Sequence, residues 1–186
     1  IIKVMVRIIA GRWKKKQLIV LEKKNLRPTP SKIRETLFNW LNLRLDLSSA
    51  LVLDLFCGSG ALGIEAASRG AKQVNFIDSD QKVVDQLNYF IEGLGNPKNI
   101  KTYCKEAIEW LKLNQNTKFD LVFLDPPFES SLITETLPIL YNQVNYNGYI
   151  YVEYDKEMNS LFDSIGFEVV RVGKSGAVRY CLITKK

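Results

Sequence analysis

Apolar and polar residues alternate over residues 2–9 and again over 17–21, with Gly11 and three consecutive lysines between them, which predicts a short β-hairpin. Arg27-Pro28-Thr29-Pro30 then interrupts the chain. Thr29 followed by Pro30 matches a helix N-cap and first helical residue, and Ile33, Leu37, Trp40 and Leu41 recur at helical spacing, so a helix is expected over 31–43.

Beyond that helix the pattern turns to strand, loop and helix in alternation. Apolar runs at 51–55, 73–77, 100–104, 119–124, 149–153, 167–172 and 178–184 read as strands, and 61–68 and 81–92 read as helices between the first of them. This order predicts an α/β fold, a seven-stranded and mainly parallel sheet covered on both faces. The last two runs are joined by Gly173-Lys174-Ser175-Gly176, too short for a helical crossover, so one strand is expected to be antiparallel. Residues 1–30 form a basic hairpin extension in this reading, hinged near residues 27–30 to a main domain of residues 31–186.

Composition narrows the chemistry. The chain has 186 residues and no histidine, which excludes Ser-His-Asp and Cys-His machinery and the common zinc hydrolase ligand sets. Cys57, Cys104 and Cys181 are widely spaced, with no CxxC pair, so neither a disulfide framework nor a metal site is expected. No apolar stretch approaches a membrane span and charges are scattered through the first residues, so a soluble, cytoplasmic protein is expected, and a monomer. Net charge is +6, unevenly spread: residues 1–34 hold eleven Lys and Arg against Glu22 alone, or +10, and residues 35–186 hold fifteen against nineteen acids, or −4. Arg7, Arg12, Lys14, Lys15, Lys16, Arg27 and Arg34, interleaved with Trp13 and apolar residues, are expected with Thr29 to form an RNA-binding surface suited to phosphates.

Asp54-Leu55-Phe56-Cys57-Gly58-Ser59-Gly60 lies where the first strand of the main domain gives way to a helix, and Gly58, Gly60 and Gly63 spell GxGxxG. Such a turn lets a ligand approach bare backbone at a helix N-terminus, whether for a dinucleotide or for S-adenosyl-L-methionine. Asp54 suits a ligand bearing an ammonium group. Asp78, followed by Ser79 at the end of the next strand, suits a ribose diol, and Glu106-Ala107 after the third strand is a candidate for an adenine amino group.

Asp125-Pro126-Pro127-Phe128 after the fourth strand separates these alternatives. The exocyclic amine of a nucleobase is a poor nucleophile because its lone pair is delocalised into the ring. Asp125 and the Pro126 carbonyl can accept its two N–H bonds, Phe128 can stack on the base, and Pro127 stiffens the backbone, a site that works by positioning and by acceptors aimed at developing positive charge. The base must be unpaired or flipped out to enter.

Together these motifs resemble the class I, Rossmann-like aminomethyltransferases. Arg7-Ile8-Ile9-Ala10-Gly11, Arg27-Pro28-Thr29, Arg34-Glu35-Thr36-Leu37-Phe38-Asn39-Trp40-Leu41 and the ending Lys174, Gly176, Val178, Tyr180 closely resemble the bacterial RsmD family, which methylates the 2-amino group of one guanine in small-subunit (16S) ribosomal RNA. The resemblance implies S-adenosyl-L-methionine as cofactor, S-adenosylhomocysteine as product, no metal, and the assembled small ribosomal subunit as partner. It also implies cofactor contacts at Asp54, Gly58, Gly60, Asp78 and Glu106-Ala107, base contacts at 125–128, and RNA contacts from the basic arm. Two alternatives are an adenine 6-amino methyltransferase acting on DNA or RNA, and a dinucleotide-dependent oxidoreductase or non-catalytic RNA-binding module.

Overall fold

The computed structural model describes residues 3–21, 28–127, 131–154, 157–176 and 178–186. Arg27 and Phe128, two of the expected site residues, lie outside the described residues. Strands β1 (Lys3–Arg7) and β2 (Gln17–Leu21) form the expected hairpin, in the antiparallel register Val4↔Val20 to Arg7↔Gln17. Helix α1 (Ser31–Asn42) follows. The main sheet comprises β3 (Leu51–Asp54), β4 (Gln73–Asp78), β5 (Ile100–Cys104), β6 (Phe119–Leu124), β7 (Val144–Tyr154), β8 (Phe167–Ser175) and β9 (Val178–Lys185), in the spatial order β5-β4-β3-β6-β7-β9-β8. All pairings are parallel except those of β9 with β7 and β8.

Helices α2 (Ala61–Ser68) and α3 (Gln81–Gly93) stand where apolar periodicity predicts them. Three more, α4 (Ala107–Leu113), α5 (Leu132–Gln143) and α6 (Asn159–Ile165), complete the layers. Two of these are only seven residues long, and α5 carries Pro138 in its interior, which weakens any helical pattern in the sequence. β7 starts five residues before the expected strand, because Asn145-Tyr146-Asn147-Gly148 has the composition of a loop, and the β6–β7 register shifts across this stretch.

Strand residues alternate between two cores, except across the register shift between Phe119 and Leu121. Val52, Leu121, Phe123 and Tyr151 pack under α1, α2 and α3, and Leu53, Val122, Leu124, Ile150 and Val152 pack under α4, α5 and α6. Ile8 and Trp13 belong to the first core, so the hairpin region is seated on the main domain.

The seat is built around a buried carboxylate. Glu65 of α2, with 0% of its surface exposed, accepts the backbone N–H groups of Ile9 (2.9 Å) and Ala10 (3.0 Å) at separate oxygens, pairs with Arg34 of α1 (3.3 Å) and with Arg69 (2.8 Å). Beside it Ser68 donates to the Ala10 carbonyl and accepts from Trp13 N–H. Gly11 lies so close that a Cβ would stand 1.9 Å from the Ser68 carbonyl oxygen, so no side chain fits there.

Three sequence expectations are corrected here. Arg34 is 1% exposed, and its guanidinium is consumed by Glu65, the carbonyls of Thr29 and Arg7, and the Ser31 hydroxyl, so it joins elements inside the protein and is not available to RNA. Thr29 does not cap α1: the N-cap is Pro30, and the Thr29 hydroxyl bonds Glu153 on β7 (3.1 Å). Thr29 is also buried, which removes it from the expected RNA surface. Arg7, Arg12, Lys14, Lys15 and Lys16 are exposed. No helix among the described residues is long and apolar enough to cross a membrane.

Removing the central carboxylate by Glu65→Ala leaves Arg34 buried without its partner and two hairpin amides unsatisfied. The expected loss is about 3–5 kcal/mol of unfolding free energy in denaturant titrations, with faster hydrogen exchange at Ile9 and Ala10.

Candidate active site

The carboxyl ends of β3, β4, β6 and β7 open into one cavity of about 660 Å³. It lies at the point where the chain order of the parallel strands reverses about β3, the position at which open α/β sheets hold ligands. Its floor is the turn after β3, Leu55 to Ser59, and its far wall is Pro28 to Pro30 with Ile33 at the start of α1. Asp125, Pro126 and Pro127 stand on one side, and Ser79, Lys105, Glu106 and Ala107 on the other.

The turn is held by two carboxylates working on backbone N–H groups. Asp54 Oδ2 accepts from Gly63 N at 2.9 Å, and Asp78 Oδ2 accepts from Gly58 N at 2.9 Å while its Oδ1 takes Asp80 N. Gly60 is the left-handed N-cap of α2 (φ 75°), and the Gly60 N–H closes the turn onto the Cys57 carbonyl. A Cβ on Gly63 would meet the Phe76 ring at 2.3 Å and Asp54 Oδ2 at 2.9 Å, so the third glycine lets α2 approach β4 and the acid. Gly60 shapes the turn from behind and is not among the residues lining the cavity. The other expected cofactor residues, Asp54, Leu55, Phe56, Cys57, Gly58, Ser59, Asp78, Ser79, Glu106 and Ala107, all line it.

The cavity is acidic. Among the described residues, Asp54, Asp78, Glu106, Asp125 and Glu153 line it against one cation, Lys105, which is itself paired with Glu109 (3.2 Å). Burial, with Asp78 adding to it, raises Asp54 to about 7 against the pull of the Gly63 N–H bond. Asp125 is raised well above the usual carboxylate range, first by desolvation and then by the charges of Glu153 and Asp54. Burial and the same two acids, Asp54 and Asp78, push the Cys57 thiol up, which keeps it protonated and inert. Such a lining suits a cationic ligand and opposes a pyrophosphate, which counts against the dinucleotide alternative.

Glu153, near the end of β7, is a lining acid that the sequence motifs do not single out. Its Oε1 accepts from the Tyr151 hydroxyl (2.8 Å) and the Thr29 hydroxyl (3.1 Å). The signal available in the sequence is the rule that singles out Asp54, Asp78 and Asp125, an acid closing a parallel strand.

The strand order with its one reversed strand, and the cavity at the strand ends, place the molecule among the class I, Rossmann-like methyltransferases. The solved structure of the Escherichia coli protein yhhF, provisionally named a methyltransferase, matches it with a TM-score of 0.86 and 34% identity, covering 98% of this chain and 99% of that one. A structure from Haemophilus influenzae, provisionally named a methylase, matches with a TM-score of 0.82 and 34% identity over the same shares.

The family model described as conserved hypothetical protein 95 matches residues 6–184. Among relatives, the ribosomal RNA small subunit methyltransferase D of Haemophilus influenzae is 39% identical over 181 residues, 95% of this chain and 92% of the relative. The protein of the same name from Escherichia coli K12 is 36% identical over 189 residues, 97% and 90%. The chain belongs to this family, the RsmD methyltransferases.

Because the folded protein holds Asp54 at about 7 against an ordinary value of 3.8, the stability tied to its proton is full below about pH 4 and is lost as pH rises through 7. Asp54→Asn keeps an acceptor for Gly63 N–H and removes the titration. The ligand-free variant is expected to lose less unfolding free energy than wild type between about pH 4 and pH 8, by roughly 4 kcal/mol at most, in urea titrations at each pH.

Proposed function

We propose that this protein transfers a methyl group from S-adenosyl-L-methionine to the exocyclic 2-amino group of a guanine in small-subunit (16S) ribosomal RNA in the assembled subunit, releasing S-adenosylhomocysteine and using no metal. The observation that carries the reading is one continuous acidic cavity that joins the glycine turn to Asp125-Pro126-Pro127. The names of the relatives support ribosomal RNA as the substrate.

The cavity fits this cofactor. A volume of about 660 Å³ is in the range that accommodates a molecule of that size. When bound, the cofactor supplies an electrophilic methyl group on a sulfonium. Asp54 would face its ammonium group, Asp78 with Ser79 its ribose, and Glu106-Ala107 its adenine. A cationic ligand also relieves the repulsion among Asp54, Asp78 and Asp125, so the strain of assembling these acids is recovered as affinity.

Asp125 and the Pro126 carbonyl would accept the two N–H bonds of the target amine. Held there, the nitrogen is favoured in its pyramidal form, with its lone pair free for attack, and the carboxylate stabilises the positive charge it acquires. Deprotonation afterwards needs no strong base, because a methylated, positively charged amine is acidic enough to give its proton to Asp125 or water. Phe128 would stack on the base. The exposed Arg7, Arg12, Lys14, Lys15 and Lys16 would meet phosphates of the RNA.

Label from methyl-labelled S-adenosyl-L-methionine is expected in 2-methylguanosine when small subunits lacking the modification are offered beside naked RNA and duplex DNA. Label in 6-methyladenine would replace guanine by adenine as the target. Asp125→Ala is expected to lower the single-turnover rate roughly 10²–10⁴-fold with little change in cofactor affinity; unchanged turnover would sink the proposed role. Changing Lys14 and Lys15 to Gln should reduce the slope of log affinity against log salt by about 1–2, and an unchanged slope would remove the hairpin from the RNA interface.

A further inference from the structure

Four acids close adjacent strands around the cavity, and the chemistry above uses Asp54, Asp78 and Asp125. Glu153 remains. The register Leu124↔Val152 brings Asp125 and Glu153 level with each other one residue further on. Strand alternation puts both on the face that carries Phe123 and Tyr151, with their backbones about 4.8 Å apart. Both line the cavity.

Glu153 is 6% exposed, and both hydroxyl donors, Tyr151 and Thr29, act on its Oε1. Thr29 is fixed in turn, because its carbonyl accepts from Arg34 Nε at 3.2 Å. The clamped oxygen sets the orientation of the carboxyl group and leaves Oε2 for the cavity. A purely structural clasp between β7 and the segment before α1 would be served as well by an amide. Burial raises the Glu153 pKa, whereas the two hydroxyls pull it down, and its charge in turn raises Asp125. An acid in this place therefore costs stability until a donor arrives from the cavity.

We propose that Glu153 reads the target base: its cavity-facing oxygen accepts the N1–H of guanine while Asp125 and the Pro126 carbonyl accept the adjacent 2-amino group. This rests on the guanine 2-amino reading above. Guanine carries a hydrogen at N1 beside its amino group, whereas adenine presents a lone pair at N1 beside its own. The same carboxylate that welcomes the first repels the second, so Glu153 sets the choice of base and Asp125 serves the transfer. A site built to pair with a donor leaves buried polar atoms unpaired when the donor is missing, the strongest form of discrimination available to a binding pocket.

The test uses the full-length protein and small subunits reconstituted with guanine or 2-aminopurine at the target position. 2-Aminopurine keeps the amino group but has a lone pair at N1. Wild type is expected to favour guanine by roughly ten- to a hundredfold in kcat/KM. In Glu153→Gln the amide oxygen still serves Thr29 and Tyr151, and an N–H now faces the cavity. The preference is expected to disappear or invert, with cofactor affinity unchanged and a thermal midpoint equal to or above that of wild type, because the buried acid is removed while the clasp is kept. A second readout is independent of turnover: the rise in 2-aminopurine fluorescence as the base unstacks into the cofactor-free protein should be tighter in concentration dependence for the variant than for wild type. Thr29→Val, which frees one side of the clamp, should weaken discrimination in the same direction. Wild type that methylates guanine, with Glu153→Gln keeping the same base preference, overturns the inference alone. Wild type that leaves guanine unmethylated overturns the guanine reading and the inference with it.

Discussion

Three of the stretches of chain that surround the cavity, the hairpin, the start of α1 and the glycine turn leading into α2, are tied together at the buried carboxylate of Glu65. It holds the hairpin through Ile9 and Ala10, and α1 through Arg34, from a position on α2, the helix that grows out of the glycine turn. Charge in an apolar interior is tolerated only when its hydrogen-bonding capacity is filled, and here two amides and two guanidinium groups fill it. Each partner leads directly to the site. Arg34 fixes the Thr29 carbonyl and thereby the Pro28–Pro30 wall, and the hairpin contributes Val4 to the cavity lining. The floor, the wall and the basic surface therefore share one reference point.

Opposite that anchor the electrostatic logic reverses. At the strand ends the described residues gather five acids around Lys105, and burial, with mutual repulsion added to it, raises Asp54 and Asp125 toward their protonated forms. Rigidity comes from neutral devices instead: N–H bonds from Gly58 and Gly63, hydroxyls from Thr29 and Tyr151, and the successive prolines after β6. Paired charge supports the scaffold, and acids held by neutral donors line the cavity.

This division explains what was legible in the sequence. The strands of the sheet, α2 and α3 follow from periodicity because their cores lie on alternate residues or on one helical face. Asp54 and Asp125 are readable because each ends an apolar run ahead of a glycine or proline signature, and Asp78 because it ends the next apolar run just before a helix. Glu153 ends such a run too, but Tyr154 continues the strand past it and no breaker marks the position. A count of positive charge reports sign and says nothing of burial, so Arg34 reads as surface although it is 1% exposed, and Thr29 reads with it only because it sits between basic residues. The capping pattern Thr-Pro at 29–30 was overridden by a partner 124 residues away, which no local rule can see. α4 and α6 are too short to display a face, and Pro138 disguises α5.

That distant clasp has a consequence for how the molecule is made. The hairpin is local in sequence and can pair as soon as it leaves the ribosome, but its seat on Glu65 must wait for some 55 further residues. The Thr29–Glu153 contact must wait until β7 has been synthesised, near the end of the chain. Synthesis thus exposes the basic arm before the cavity can close. A nascent chain stalled midway would display the arm's positive charge without the pocket, held beside the very ribosomal machinery that is translating it.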